Sequence, residues 1–159
     1  MSELLAHLDR QVRSSRSLLG IVLAQSAAIR ERDVDAILAR LAEIQGEMGQ
    51  RAQLEGERER LIGAAAAELG IPTGDVDLEA MLELEDPSQH AMLRGLSAEL
   101  KGLVTETARM HEQNRILIRQ ELSFVDHLMR LLSGGGEGAY SPRGATHVPQ
   151  IANAVNATA

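Results

Sequence analysis

Cysteine and tryptophan are absent from this sequence of 159 residues, and phenylalanine and tyrosine occur once each. Without cysteine the chain can form no disulfide and carry out no thiolate chemistry, although this absence does not identify a compartment. Sheet proteins use the aromatic and β-branched residues that are scarce here, whereas leucine, alanine, glutamate and arginine are abundant. The composition therefore predicts an all-α protein, and the length predicts one domain.

Clusters of basic residues are also lacking. The net charge is -7, the single lysine is Lys101, and the arginines are interspersed with acids. A nucleic acid would be repelled by this mean charge, so we expect no nucleic-acid partner. No window approaches the roughly 20 consecutive apolar residues of a membrane span, and the N-terminus lacks the features of a signal peptide. We therefore expect a soluble cytoplasmic protein without membrane insertion.

The longest uninterrupted helical pattern runs from Met92 to Leu132. Its seam positions alternate three and four residues apart and are polar only at Thr107, Asn114 and Glu121. At ~1.5 Å per residue this helix would be roughly 60 Å long, and only other long helices could bury it. The sequence thus predicts an elongated antiparallel helical hairpin that packs with this long C-terminal helix as a three-helix, coiled-coil-like bundle. The seam residues are Leu93, Leu96, Leu100, Leu103, Thr107, Met110, Asn114, Leu117, Glu121, Phe124, Leu128 and Leu132.

Capping signals predict where the helices begin and end. Ser2 is an N-cap residue for the first helix, Gly70 followed by Pro72 ends the second, and Asp86 followed by proline begins the last. Between the first two helices, either a turn or one continuous bent helix fits the pattern. The predicted helices span about 3–30, 34–69, 78–84 and 87–133.

The remaining residues, 134–159, are rich in Gly, Ala and Asn. Such a segment buries too little apolar surface to offset the entropy of ordering it. We therefore expect a helical domain over 1–133 and a flexible C-terminal tail over 134–159.

Catalytic and metal-binding motifs are missing from the helical pattern. Metal sites in helical bundles use Glu-x-x-His pairs, and no histidine here has a glutamate three residues before it or a second histidine four residues away. Lys101 is followed by Gly102 within a helix, so the phosphate-binding motif Gly-Lys-Ser/Thr is absent as well. We expect no enzyme activity, no cofactor and no metal.

Polar residues interrupt the second half of the long seam. Asn114 and Glu121 stand where leucine is expected, and a buried polar seam residue fixes register at a cost in stability. One interpretation is that they pair with groups of the second helix, such as Arg51 or Arg58. The other is that this end of the seam is open to a partner.

An apolar surplus in the same segment favours an interaction surface. The last four turns are apolar on more than one face. Some of these side chains would contact a third helix, and the remainder would form an exposed patch of the kind that marks a binding site. Methionine and leucine without aromatics suit a surface that accommodates an amphipathic helix. The surplus residues are Ile116, Ile118, Leu122, Val125, Met129 and Leu131.

Several segments together resemble the FlgN family of flagellar export chaperones. They are Asn114, the leucine-rich run 117–132, the segment 139–144 with the only tyrosine, Tyr140, and the segment 54–58. Ser141 departs from the family, which often has glycine there. The resemblance implies a cytoplasmic chaperone that binds the C-terminal helical region of hook-filament junction (hook-associated) proteins. It would keep them unassembled and deliver them to the export gate, without ATP or covalent chemistry.

The resemblance and the apolar surplus together give a set of predicted site residues. We expect Tyr140 to dock on the cytoplasmic domain of the export gate, because a lone exposed aromatic residue is an efficient anchor. The alternative is a structural coiled-coil or homodimerisation module with no client. The sequence identifies neither the client nor the oligomeric state. The predicted client-binding residues are Leu117, Ile118, Leu122, Val125, Met129 and Leu132.

Overall fold

The computed structural model describes residues 2–133, and within that range every regular element is helical. The all-α class and the helical bundle are confirmed. Tyr140 and the predicted tail over 134–159 lie outside the described residues. Ser123–Ser133 belong to a second compact unit and are described separately from the unit that ends at Leu122. The helices are α1 Glu3–Glu31, α2 Val34–Leu69, α3 Leu78–Leu82 and α4 His90–Ser133, with short 3-10 helices at Thr73–Asp75 and Pro87–Gln89.

A tight turn separates α1 from α2. Arg32 adopts the left-handed conformation with φ 57°, and its N–H donates to the carbonyl oxygens of Ala28 and Ile29. The Asp33 side chain then accepts a hydrogen bond of 2.9 Å from the N–H of Ala36, which caps the first turn of α2. The two helices are therefore distinct, and the interpretation as one continuous bent helix is wrong.

Side-chain hydrogen bonds show that α2 runs antiparallel to α1. His7 Nδ1 lies 3.2 Å from Glu57 Oε2, and Ser14 Oγ donates over 3.2 Å to Glu47 Oε2. Residue numbers thus fall along α2 as they rise along α1, as expected for a helical hairpin.

Helix α4 runs parallel to α1 and contacts another of its faces. Arg16 Nε donates over 2.8 Å to Glu99 Oε1, and Asn114 Nδ2 donates over 3.1 Å to the carbonyl oxygen of Val22. Residue numbers therefore rise together along both helices, and α1 is the helix on which the other two long helices pack.

Two apolar clusters form the core of the first unit. One contains Leu82 of α3 together with Leu93 of α4, which has no exposed surface, and two leucines of α1. The other lies farther along α1 and combines three helices without α3. Short α3 thus closes one end of the bundle, whereas the second cluster depends on the long helices alone. The members are Leu4, Leu5, Leu82 and Leu93 in the first cluster, and Leu18, Val22, Ile44 and Met110 in the second.

Candidate functional site

The predicted client-binding residues that precede Ser123 lie near the end of the first unit. Leu117 is half-buried, Ile118 is exposed, and the side chain of Leu122 is 61% exposed. Ile116 is exposed on the same part of α4. Packing within the described part of the unit therefore leaves most of these apolar side chains exposed.

The predicted residues from Ser123 onward are all exposed. Val125 and Met129 expose half or more of their surface, and Leu132 exposes 81%. Phe124 and Leu128, which lie on the predicted seam together with Leu132, are exposed as well. The leucines of this segment are therefore surface residues, in line with the interpretation that this end of the seam is open to a partner. We call the predicted set Leu117, Ile118, Leu122, Val125, Met129 and Leu132 the α4 apolar face.

The two polar seam residues do not pair with α2, as one interpretation of the sequence required. Asn114, 2% exposed, donates through Nδ2 to the carbonyl oxygen of Val22 and, over 3.2 Å, to Gln25 Oε1. Glu121 accepts from Arg32 Nε over 3.0 Å. All three partners lie on α1 or directly after it. The register of the parallel pair α1–α4 places them opposite Asn114 and Glu121. The predicted pairing with Arg51 or Arg58 is wrong.

A second exposed apolar surface lies on α2 and was missed by sequence reasoning. Val34, Leu38, Leu41 and Met48 are 43% to 64% exposed. In the structure Ile44 is the buried residue of this half of the helix. The overlooked signal was a second heptad register, since the exposed residues are spaced by four and three around Gln45. We call these four residues the α2 stripe.

A cleft of about 280 Å³ is lined by α1, α2 and α4, and Met48 of the α2 stripe lies at its edge. Met48 and Arg51 line it from α2, and exposed Val104 lines it from α4. A neighbouring cavity shares Ala108 and His111 with it and continues along α4 to Ile118. We call the two together the α2–α4 cleft. Their lining residues are Ser15, Leu18, Gln25, Met48, Arg51, Val104, Thr107, Ala108, His111, Glu112, Asn114, Arg115 and Ile118.

Arg51 is the cation that α2 contributes to this cleft. It is half-buried, and its Nη1 donates over 3.0 Å to Ser15 Oγ. Among the described residues no carboxylate lies within ion-pair distance of it. The cleft therefore combines apolar walls with one guanidinium whose charge is not balanced by a neighbouring acid.

Two arginines of α4 differ from Arg51 in this respect. Arg109 donates to both carboxylate oxygens of Glu106, and this hydrogen bonding holds the pKa of that carboxyl below its usual value. Arg115, which lines the cleft, lies 3.6 Å from Glu112. Acids of the same helix therefore balance both of these charges locally.

One histidine is buried outside this region. His7 is 2% exposed and lies 3.2 Å both from Glu57 Oε2 and from Gln11 Nε2. It joins α1 to α2 and thus has a structural role. Within residues 2–133, no three histidine, aspartate or glutamate side chains are grouped so that they could hold a metal ion, and no helix could span a membrane.

The FlgN protein family model matches residues 1–147 of this chain. This chain belongs to the FlgN family. FlgN proteins are flagellar export chaperones, so the protein is a chaperone of flagellar assembly, and the family predicted from the sequence is confirmed. No curated protein and no solved structure matches the chain.

Membership of the FlgN family sets the role but identifies no residue. The α4 apolar face therefore stays a prediction for client binding, now with the observation that five of its six side chains are exposed. The α2–α4 cleft adds residues that the sequence did not single out.

Proposed function

We propose that this chaperone binds the C-terminal helical region of hook-filament junction proteins in the cytoplasm, keeps these proteins unassembled and delivers them to the export gate. The observation that carries the proposal is the exposed apolar surface near the end of α4. Exposed apolar patches are uncommon on monomeric proteins and usually mark interaction sites. The family supplies the class of client, and the α4 apolar face supplies a surface for it.

The side chains of this face suit a helical client. Ile118, Leu122, Val125, Met129 and Leu132 are spaced alternately by four and three residues, so they follow one stripe of the helix. An amphipathic client helix could lay its own apolar stripe along them and remove both surfaces from water. Methionine and leucine are flexible enough to accept more than one client side-chain pattern.

Delivery requires a second contact, because a bound client has to reach the export apparatus. We propose that Tyr140 provides this contact by docking on the cytoplasmic domain of the export gate. Support comes from the sequence alone: Tyr140 is the only tyrosine of the chain. Aromatic residues are frequent anchors of protein interfaces because they bury a large area at a small entropic cost.

The client-binding proposal is tested with the double variant Leu122→Asp, Val125→Asp. Two carboxylates on the α4 apolar face would have to be desolvated on binding, so we expect co-purification with hook-filament junction proteins to be lost. Far-ultraviolet circular dichroism should stay helical, because both side chains are exposed. The matched control is Gln113→Asp, Gln120→Asp, which adds the same charge at exposed positions of the same helix.

Retained binding in the Leu122→Asp, Val125→Asp variant would contradict the proposal. Sedimentation measurements test the alternative, a homodimerisation module without a client. A stable dimer that persists when C-terminal peptides of junction proteins are added would favour that alternative.

A further inference from the structure

Arg51 lies in a cleft whose walls would suit a helix rather than a small molecule. The α2 stripe, from Val34 to Met48, covers fourteen residue steps, and so does the α4 wall from Val104 to Ile118. At ~1.5 Å per residue each wall is roughly 21 Å long, about four helical turns. The lining of the cleft mixes apolar side chains, such as Met48 and Val104, with polar ones, such as Arg51. From Val104 to Ile118 its length matches one amphipathic helix of about 15 residues.

The direction of the helices keeps the two walls together. Helix α2 is antiparallel to α1 and α4 is parallel to it, so α2 and α4 run in opposite directions. Met48 and Val104 line the same cleft, and from there α2 continues back towards Val34 as α4 continues towards Ile118. Met48 is the residue of the α2 stripe that lines the cleft opposite Val104.

The charge of Arg51 defines the chemistry of the occupant. A half-buried guanidinium is stabilised best by a carboxylate, which can accept two parallel hydrogen bonds from it. Here the described acceptor is one serine hydroxyl, Ser15 Oγ, which carries no charge. Glu47, one turn before Arg51, is engaged elsewhere, because it accepts hydrogen bonds from Ser14 and Ser17. A carboxylate supplied from outside the chain would therefore complete the environment of Arg51.

A second polar group of the cleft also lacks a partner. Asn114 Oδ1 is buried and accepts no hydrogen bond from any described residue, although Asn114 Nδ2 has two acceptors. Leaving a buried acceptor unsatisfied is costly, and such groups are few in native structures. Asn114 lines the part of the cleft that extends to Ile118. A donor group on the occupant, opposite Asn114, would satisfy this oxygen.

We propose that the α2–α4 cleft seats an acidic amphipathic helix of the client, with a client carboxylate paired to Arg51. The inference rests on the proposed function, because the occupant is a segment of the exported client. It makes Arg51 a specificity-determining residue: it favours clients whose apolar stripe carries an acid at the matching position.

The experiment measures the affinity of the full chain for purified C-terminal segments of hook-filament junction proteins encoded in the same genome. Arg51→Gln keeps a donor for Ser15 Oγ but removes the charge, and we expect affinity to fall about tenfold. Arg51→Glu should lower it about a hundredfold through repulsion of the client carboxylate. The matched control is Arg60→Glu, an exposed arginine of the same helix, whose affinity should stay within about twofold of the unaltered chain.

Salt dependence separates a charge pair from a change in folding. The affinity of the unaltered chain should fall as sodium chloride rises from 50 to 500 mM, and Arg51→Gln should flatten that dependence because its pair is gone. A misfolded variant would bind less client because fewer of its molecules are folded. The client affinity of its folded molecules would still decrease with salt, as it does for the unaltered chain. Circular dichroism of each variant is recorded in parallel.

Three results would overturn the inference, and the first two are distinguishable from failure of the proposed function. If Leu122→Asp, Val125→Asp abolishes binding but Arg51→Glu binds like Arg60→Glu, the client occupies α4 without pairing to Arg51. If Arg51→Glu instead dissociates a homodimer and leaves client affinity unchanged, the occupant is a second copy of this chain. If the unaltered chain binds no junction-protein segment, the proposed function fails and this inference fails with it.

Discussion

The two ends of helix α4 have the same kind of sequence but opposite environments. Leu93, near the start, is fully buried against α1 and α3, whereas Leu132, near the end, is 81% exposed. Both residues lie on the same predicted seam, so hydrophobic periodicity does not distinguish them. The difference lies in the neighbours of Leu93, which packs in one cluster with Leu82 of α3 and with Leu4 and Leu5 of α1.

Hydrogen bonds between α4 and the α1 region define the register of the two helices. Asn114 pairs with Gln25 and Glu121 with Arg32, so partners differ by about 89 residues. Arg32 directly follows Glu31, the last residue of α1, so Glu121 pairs with the end of that helix. The apolar residues that follow Glu121 in α4 are exposed, and a chaperone of assembly needs a surface of this kind.

The largest expected effect contrasts two leucines of α4. Leu93→Ala should lower the free energy of unfolding by about 2–5 kcal/mol, because it opens a cavity in a fully buried cluster. Leu132→Ala should change it by less than about 0.5 kcal/mol, because that side chain is already in water. Urea unfolding followed by circular dichroism measures both. Equal destabilisation by the two variants would remove the distinction between a buried and an exposed end.

An intermediate effect on the unfolding free energy is expected at Asn114, which is buried close to the exposed part of α4. Asn114→Ala removes the donor to the Val22 carbonyl and to Gln25, and we expect a loss of about 1–3 kcal/mol of unfolding free energy. The control is Gln113→Ala, which is exposed on the same helix and should be nearly neutral. Thermal unfolding of both variants provides the measurement. An unchanged or raised stability in Asn114→Ala would show that the buried amide does not hold α4 against α1.

The smallest expected effect concerns acid and the pair α1–α2. Hydrogen bonds from Arg10 and then His7 lower the pKa of Glu57 below its ordinary value of 4.5. A carboxyl whose pKa is depressed by folding stabilises the folded state above that ordinary value, and the contribution is lost as pH falls through the folded pKa. We therefore expect Tm to fall between pH 6 and pH 3, and Glu57→Gln to reduce that fall.

The control for the acid experiment is Glu68→Gln, an exposed glutamate of the same helix. It should leave the change of Tm with pH close to that of the unaltered chain. Should Glu57→Gln behave like Glu68→Gln, the contacts of Glu57 with α1 would contribute nothing measurable to stability. Client binding through the α4 apolar face should respond less to acid over this range, because its six members carry no titratable group.

Much of the fold was predictable because local signals were strong. Asp33, Asp77 and Asp86 each accept a hydrogen bond from a backbone N–H at the start of a helix, and such caps depend on neighbouring residues only. Gly70 adopts φ 69° at the end of α2, a conformation that glycine enters without strain. The resemblance to the family was also recognisable from segments of the sequence, and the family model confirmed it.

Other features depended on contacts between residues far apart in the chain. The sequence suggested Arg51 or Arg58 as partners of Asn114, whereas the register of two parallel helices supplied Val22 and Gln25. Leu38, Leu41 and Met48 fit a helical seam, yet they are exposed because the heptad through Ile44 is the one that faces α1. Periodicity identifies an apolar face without saying whether a neighbour covers it.

The sequence by itself determined that the chain is helical, which capping residues mark several helix ends, and to which family it belongs. Helix caps, glycines and heptad patterns depend on residues that are close together in the chain. They can therefore be recognised from the sequence alone. Only the tertiary structure decided that α4 is buried at Leu93 and exposed at Leu132, and that Arg51 lies in a cleft with no described carboxylate within ion-pair distance. Burial and charge pairing are set by which helices lie side by side, and that depends on the lengths and registers of helices distant in sequence.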